Sequence, residues 1–329
     1  MAPVTRQTND NVLRARRLAM PILEREDAGA DYVRLVLGGP EGWVSRPGQF
    51  LNVRCGPEPK AAAAAQRREV PYTEDGPWPQ TTGPELARRR APLVRRPLSI
   101  SRVRAGADAF RIEVLVHTIG TGTRWLADQP TGTVLDVVGP LGNCFTLPKG
   151  DWVAVLVGGG CGMAPLFGLT DELAEAGCEG VLIIGARAMV QAPLAFETPP
   201  RSSDRVEPCV LAGALRTPVE TVFATDDGSA GFRGTAVAAA EAWLASRCDE
   251  KRPAFFGCGP EPMLRALADL ARRLNAPCQV SLEEFMGCGI GVCLSCARKV
   301  HDPSRTEGWT YRLTCRDGPV VEAKDIVWE

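Results

Sequence analysis

The feature that most constrains the fold is an uninterrupted apolar segment that leads directly into a glycine-rich turn. Residues 153–157 read Val-Ala-Val-Leu-Val, and residues 158–165 read Gly-Gly-Gly-Cys-Gly-Met-Ala-Pro. A strand without polar residues suits a parallel sheet that helices cover on both faces. Glycines at its end let a helix N-terminus approach a pyrophosphate, although the same pattern also forms an ordinary tight turn. Gly159, Gly160 and Gly162 are therefore candidate dinucleotide-binding residues.

Strands alternate with helices from Asp151 onward, which predicts a doubly wound parallel sheet. Further strands are predicted at 181–184 and 254–256, and helices at 165–176, 234–246 and 261–274. A second turn, Gly-Cys-Gly-Pro at 257–260, follows one of these strands. Because the carboxyl ends of parallel strands lie at one edge of a sheet, Cys258 and Gly259 are candidate neighbours of a nicotinamide. Cys258 could equally be a packed thiol.

The first 150 residues contain short alternating segments instead. Strands are predicted at 32–37, 49–53 and 110–116, separated by glycines and prolines. This pattern predicts a small antiparallel β-barrel. Residues 56–92 interrupt it with five consecutive alanines, several prolines and no periodic apolar face, so we predict an inserted, mobile surface segment there. A partner-contacting arm is the alternative.

Charge and hydropathy exclude several classes of protein. Lys and Arg together number 38 and Asp and Glu 39, a net charge of -1, whereas a dedicated nucleic-acid binder carries a basic field. We find no run of about 20 apolar residues, and the N-terminus has no apolar core of the kind found in secretory signals. We therefore expect a cytoplasmic protein with no nucleic-acid or membrane partner.

Four of the twelve cysteines crowd the last forty-odd positions. Cys288, Cys293 and Cys296 follow the spacing C-x4-C-x2-C, and Cys315 lies further along the chain. This is the plant-type ferredoxin arrangement for a 2Fe–2S cluster, in which three thiolates on one short loop join a distant fourth. A zinc site is the alternative, although zinc ligands usually come as two close pairs. A Rieske centre needs two histidine ligands, and only His301 is nearby.

Two segments of the predicted barrel carry residues suited to a flavin nucleotide. One is Arg95-Arg96-Pro97-Leu98-Ser99-Ile100, and the other is Gly120-Thr121-Gly122-Thr123. An arginine can neutralise a pyrophosphate, and a small hydroxyl can hydrogen-bond a ring nitrogen without crowding a flat ring. Each segment by itself is a weak signal, since an Arg-Arg-Pro stretch usually begins a solvated strand.

The order of these motifs resembles that of the ferredoxin–NADP reductase superfamily. The resemblance rests on Pro-Gly-Gln-Phe at 47–50, Arg-Pro-Leu-Ser at 96–99, Gly-Thr-Gly-Thr at 120–123, Gly-Pro-Leu-Gly-Asn at 139–143 and the turns at 158 and 257. Within it, Leu282 to Cys293 and Thr-Asp-Asp-Gly-Ser at 225–229 are similar to the electron-transfer subunits of class 1B dihydroorotate dehydrogenases.

The resemblance implies three units: an FAD-binding barrel at 1–149, an NAD-binding α/β domain at 150–277 and a small 2Fe–2S domain at 278–329. The turn at 158 and the turn at 257 would bind NAD or NADP. His117 stands where the family often has arginine. The FAD contacts implied by position are Arg96, Pro97, Leu98, Ser99, Leu115, Val116, His117, Gly122 and Thr123. The cluster ligands are Cys288, Cys293, Cys296 and Cys315.

The function implied by the resemblance is electron transfer between NAD(H), FAD and the cluster, with no catalytic acid, base or nucleophile in the chain itself. An FMN-containing catalytic partner would oxidise dihydroorotate to orotate in pyrimidine biosynthesis, in a hetero-oligomer. Alternatives are the flavin subunit of a bifurcating NADPH–ferredoxin enzyme, a sulfide dehydrogenase or a hydrogenase. A stand-alone reductase for an oxygenase, or a zinc-stabilised module without flavin, are further alternatives.

Overall fold

The computed structural model describes residues 15–56, 95–106, 109–212, 219–247 and 251–328. The insertion predicted at 56–92 lies outside these ranges except for its first residue. Among the helices of the described ranges, the longest span 13 residues, and none is long and apolar enough for a membrane span.

The N-terminal part is a closed antiparallel barrel of six strands in the order β1-β2-β5-β4-β3-β6. Helix α1 (Thr121–Ala127) connects β5 to β6. The core of the barrel is formed by alternate side chains of its strands, such as Leu35, Ile112 and Val114. The strands are β1 (Arg16–Gly29), β2 (Tyr32–Gly39), β3 (Phe50–Val53), β4 (Arg96–Ala105), β5 (Phe110–His117) and β6 (Val134–Leu141).

A seven-stranded sheet in the order β10-β9-β8-β7-β11-β12-β15 forms the second part, and all its strands are parallel except β15. Its strands are β7 (Trp152–Gly159), β8 (Gly180–Ala186), β9 (Val219–Thr225), β10 (Phe232–Arg233), β11 (Arg252–Cys258), β12 (Cys278–Ser281) and β15 (Val320–Glu322). Helices α3 (Ala236–Ser246) and α4 (Glu261–Arg273) pack on one face and α2 (Met163–Glu175) on the other. The doubly wound sheet is therefore confirmed.

The C-terminal segment leaves this sheet after β12 and returns to it as β15. Between them lie the cysteine loop, a hairpin of β13 (Ala297–His301) and β14 (Trp309–Leu313), and the short helix α5 (Thr314–Asp317). Asn143, which links the barrel to the sheet, exchanges two hydrogen bonds with the backbone of Val320 at 2.7 and 2.9 Å. The small segment is thus held to both larger parts.

Strand β3 is buried along its whole length because both of its faces are covered. Leu51 and Val53 point into the barrel core. Phe50, on the opposite face, packs against Cys296, Leu313 and Cys315 of the C-terminal segment. The alternation of a strand therefore places the barrel on one side of β3 and the cysteines on the other.

Candidate functional site

The four cysteines predicted as cluster ligands come together at the C-terminal segment. Three lie on the loop that precedes β13, and Cys315 lies in α5. Their thiols group in pairs: Cys288 contacts Cys293, and Cys296 contacts Cys315. Two pairs of sulfurs suit two iron atoms that are bridged by sulfide, so the donor set fits a 2Fe–2S cluster.

Backbone N–H groups of the loop point at these sulfurs. The amides of Ile290 and Cys293 each donate to Sγ of Cys288 at 3.4 Å, and the amide of Gly291 donates to Sγ of Cys315 at 3.1 Å. Gly291 has φ +83°, a left-handed conformation that side chains rarely adopt. Such N–H groups stabilise negative charge on sulfur, both in a thiolate and in a reduced cluster.

The pKa values of two of the four thiols are shifted in opposite directions. Hydrogen bonding by the Ser295 side chain and by neighbouring groups lowers the pKa of the exposed Cys293 to about 6. Burial and the adjacent Cys296 raise the pKa of Cys315 to about 12. The paired arrangement favours a two-iron centre.

The cysteine loop lies directly on strand β3 of the barrel. The buried Asn52 side chain donates through Nδ2 to the carbonyl oxygen of Cys288 at 2.7 Å. Strand β3 pairs with β4, which begins with Arg96, Pro97, Leu98 and Ser99. The predicted cluster ligands therefore lie against β3, and the predicted flavin contacts lie on the adjacent strand β4.

The predicted phosphate contacts also come together. Arg96 lies against Gly122, because a Cβ built on Gly122 would stand 3.0 Å from Nε of Arg96. Thr123 closes the first turn of α1, where its Oγ1 accepts a hydrogen bond from the amide of Gly120 at 3.1 Å. A guanidinium beside the N–H groups of a helix start suits a pyrophosphate.

The remaining barrel residues of the predicted set divide by the direction of their side chains. Leu98 and Val116 are buried in the barrel core, so any contact they make with a ligand outside the barrel runs through the backbone. Pro97, Ser99 and His117 are half-buried. Leu115 packs against the core under helix α2 and therefore joins the barrel to the sheet.

An aromatic pair joins the barrel to the first glycine turn. Tyr32 stacks on His117 with 4.1 Å between ring centroids and 5° between ring planes. Tyr32 and the backbone of His117 lie beside the thiol of Cys161, and their hydrogen-bonding groups partly offset the effect of burial on its pKa. Burial, followed by the charge of Glu283, raises the pKa of Cys161 to about 11, so this thiol stays protonated at neutral pH.

A cleft of about 840 Å³ opens at this junction, at the carboxyl edge of the sheet. Dinucleotides bind at this edge in doubly wound folds. Gly159 and Gly160 line the cleft, whereas Gly162, Cys258 and Gly259 do not. Further residues that line it are Tyr32, His117, Gly185, Arg187, Asp226, Pro260 and Met263.

Gly162, Cys258 and Gly259 lie where the two glycine turns meet. A Cβ on Gly162 would overlap the carbonyl of Cys258, and a Cβ on Gly259 would stand 3.0 Å from the backbone of Gly159. These glycines therefore allow the two turns to cross. Burial raises the pKa of the Cys258 thiol, which stays protonated.

Sequence reasoning did not single out Tyr32, Asn52 or Glu283. The Glu283 side chain reaches solvent, but the surrounding protein raises the pKa of its carboxyl by desolvation. Asn52 carried a signal, because a polar residue inside a short apolar strand needs a buried partner. Tyr32 carried none, since its partners come from distant parts of the chain.

Known proteins are similar in sequence to this chain over most of its length. Residues 283–327 match the iron-sulfur cluster binding domain of dihydroorotate dehydrogenase B. The dihydroorotate dehydrogenase B (NAD(+)) electron transfer subunit of Desulforamulus reducens is 32% identical over 284 residues, which cover 86% of this chain and 87% of that protein. The chain belongs to the family of dihydroorotate dehydrogenase B electron transfer subunits. The family member from Shouchella clausii is 31% identical over 319 residues, covering 96% of this chain and 100% of its own.

A solved structure shows the same fold as this dihydroorotate dehydrogenase B family member. The NADH-dependent reduced ferredoxin–NADP oxidoreductase, studied for flavin-based electron bifurcation, superposes with a TM-score of 0.66 at 22% identity. The match covers 94% of this chain and 90% of that one. The barrel, the parallel sheet and the C-terminal cysteine segment thus form a known arrangement.

Proposed function

We propose that this chain transfers electrons between NAD(H), FAD and a 2Fe–2S cluster, and exchanges them with an FMN-containing catalytic subunit that oxidises dihydroorotate to orotate. The observation that carries the proposal is the contact between Asn52 and Cys288, which places the paired cysteines on the strand beside Arg96–Ser99. Electron transfer needs redox groups that are close together, and adjacent strands keep them close.

The barrel would hold FAD. Arg96 and the first turn of α1, with Gly122 and Thr123, would bind its pyrophosphate. Pro97, Ser99 and the backbone of Leu98 would face the isoalloxazine, together with Leu115, Val116 and His117. When bound, FAD and the cluster supply the redox chemistry, in which an electron pair exchanged with NAD(H) is passed on as single electrons.

The cleft would hold the nicotinamide nucleotide. Gly159 and Gly160 line it and would let a pyrophosphate approach the start of α2. Gly162, Cys258 and Gly259 would act by shaping the crossing of the two turns. His117 and Tyr32 form the barrel side of the cleft, so a nicotinamide bound there would lie beside the flavin site.

The surface around the cysteines would bind the catalytic subunit. Phe285 is 94% exposed and Val292 73% exposed, and Ile290 and Leu294 are also exposed. We call these four residues the apolar patch. Exposed apolar groups clustered at one place mark protein-binding surfaces, and a cluster that passes electrons to another chain must lie close to that chain. In the sequence, the residues of the apolar patch lie before and between the cluster ligands Cys288, Cys293 and Cys296.

The proposal divides the chain into three functional units, at 1–149, 150–277 and 278–329. Strands β12 and β15 of the third unit extend the sheet of the second. A cytoplasmic location is part of the proposal. It is supported by the cysteines of the described ranges, none of which forms a disulfide, because reducing compartments keep thiols reduced.

Anaerobic purification tests the proposal. The chain should retain about one FAD and about two iron atoms, and NADH should bleach the flavin absorbance. Expressed together with the catalytic subunit, it should form a complex that reduces NAD⁺ with dihydroorotate. A well-folded preparation that contains zinc and no FAD would contradict the proposal.

A further inference from the structure

Asn52 is a polar residue in a strand that is otherwise apolar. Its neighbours Leu51 and Val53 belong to the barrel core, so the Asn52 side chain points to the opposite face, toward the cysteine loop. The residue is 1% exposed. A buried amide must be hydrogen-bonded, because leaving its polar atoms without partners is costly.

The hydrogen bonds of Asn52 join the cysteine loop to β4, the strand that carries the predicted flavin contacts. Nδ2 donates to the carbonyl oxygen of Cys288 at 2.7 Å. The backbone carbonyl of Asn52 accepts a hydrogen bond from Nη1 of Arg95 at 3.2 Å, and Asn52 lies opposite Pro97 in the β3–β4 ladder. A single residue thus contacts the first cluster ligand and the start of the strand that carries Arg96.

The fit around Asn52 leaves little room for the loop to move. A Cβ on Gly289 would stand 2.5 Å from Nδ2 of Asn52, and Gly289 has φ +69°. The residues that follow Gly289 supply the N–H groups directed at the sulfurs of Cys288 and Cys315. Because the peptide after Cys288 is fixed at its carbonyl, the amide groups that follow are fixed as well.

We propose that Asn52 is a positioning residue for the cluster: its amide sets the conformation of the cysteine loop, and thereby the hydrogen bonds that the cluster sulfurs receive. The inference rests on the proposed function, since it requires the cluster and FAD in one chain. Hydrogen bonds to sulfur favour the reduced cluster and raise its reduction potential. Weakening them should make the potential more negative.

The test compares Asn52→Leu, which keeps the branched shape of the side chain and removes the donor, with Asn143→Leu as a matched control. Asn143 also donates through Nδ2 to a backbone carbonyl at 2.7 Å and also joins the barrel side to the C-terminal segment, but its partner is Val320 and not a cluster ligand. Asn52→Ser, which is smaller and keeps a donor, is a second variant. The measurements are FAD and iron content, the EPR spectrum and reduction potential of the cluster, and the rate at which NADH reduces it.

We expect Asn52→Leu to retain FAD and to show an altered EPR spectrum and a more negative reduction potential of the cluster. NADH should reduce the cluster about tenfold more slowly, which is the fold-change that corresponds to the free energy of one buried hydrogen bond. Loss of the cluster with FAD retained would also support the inference. An unchanged potential and spectrum would overturn it, and so would an equal shift in Asn143→Leu. Failure of both Asn52 variants to fold would overturn it too, because Asn52 would then stabilise the barrel in general. Wild-type protein without FAD or without the cluster would instead refute the proposed function.

Discussion

The guanidinium of Arg96 lies against the backbone of Gly122, with Nε 3.0 Å from the position of a Cβ at residue 122. Strand β4 and helix α1 come from separate parts of the barrel sequence, and this contact brings the two predicted phosphate-binding segments together. The absence of a side chain at residue 122 is therefore required by the position of Arg96.

Replacing Gly122 by alanine should displace the Arg96 guanidinium without unfolding the barrel, since alanine favours a helix over glycine. Replacing Arg96 by alanine should weaken FAD binding by about 1.5–3 kcal/mol if the guanidinium makes a charge-assisted hydrogen bond. FAD retention after dilution and gel filtration measures both effects. Arg104→Ala, at the exposed end of the same strand, is the control. Equal FAD content in all three variants would exclude this phosphate site.

Replacing Cys293 by serine should abolish the cluster and leave FAD in place, because the cysteine loop and the strands proposed to bind FAD are separate elements. Iron content and the visible spectrum measure the cluster, and NADH-dependent reduction of a dye measures the flavin. Cys178→Ser, at a cysteine distant from the loop in sequence, should retain both groups. Parallel loss of FAD and cluster in Cys293→Ser would show that the two sites are not independent.

Replacing Phe285 or Val292 by glutamate should weaken binding of the catalytic subunit, because a charge would have to be buried in an apolar contact. Both side chains are exposed, so the isolated chain should keep its thermal stability and cofactor content. Co-purification and isothermal titration with the catalytic subunit measure the effect. Val134→Glu, on an exposed site of the barrel, should bind normally. Wild-type affinity in the two patch variants would place the docking surface elsewhere.

Asp136 should make barrel stability depend on pH. Burial opposes its charge, but hydrogen bonds from Arg17 and Arg95 outweigh burial and lower its pKa below the ordinary value of 3.8. The unfolded chain therefore takes up the proton first as pH falls, so the stabilisation is complete above about pH 4 and is lost as pH falls through the lower folded value. At pH 7, Asp136→Asn should lower the free energy of unfolding by about 1–2 kcal/mol.

Urea unfolding at pH 7 and at pH 3 tests this dependence. The difference between wild type and Asp136→Asn should shrink at pH 3, whereas Asp128→Asn, at an exposed position, should match wild type at both. Asp136 also holds Arg95, whose Nη2 lies 2.7 Å from Oδ2 of Asp136, next to Arg96. A difference that stays constant with pH would mean that the charge of Asp136 is not responsible.

The patterns of apolar residues predicted most of the second part of the chain. The helices expected at 165–176 and 261–274 are α2 and α4, which span Met163–Glu175 and Glu261–Arg273. Their apolar residues recur with the helical period, which depends only on local sequence. Strand β1 (Arg16–Gly29) was not predicted, because many of its side chains are exposed and charged and give no apolar alternation.

The order and spacing of the residues predicted the chemistry of the molecule: four thiolates at ferredoxin spacing, two glycine turns after apolar strands, and an arginine at the start of a barrel strand. Spacing and periodicity are local properties that a linear pattern records. Which of these groups come into contact depends on the folding of the whole chain. Asn52 reaches Cys288 across 236 positions, and Tyr32 meets both His117 and Cys161. Such contacts depend on which faces of the strands and turns are buried together, and packing of the whole chain settles that.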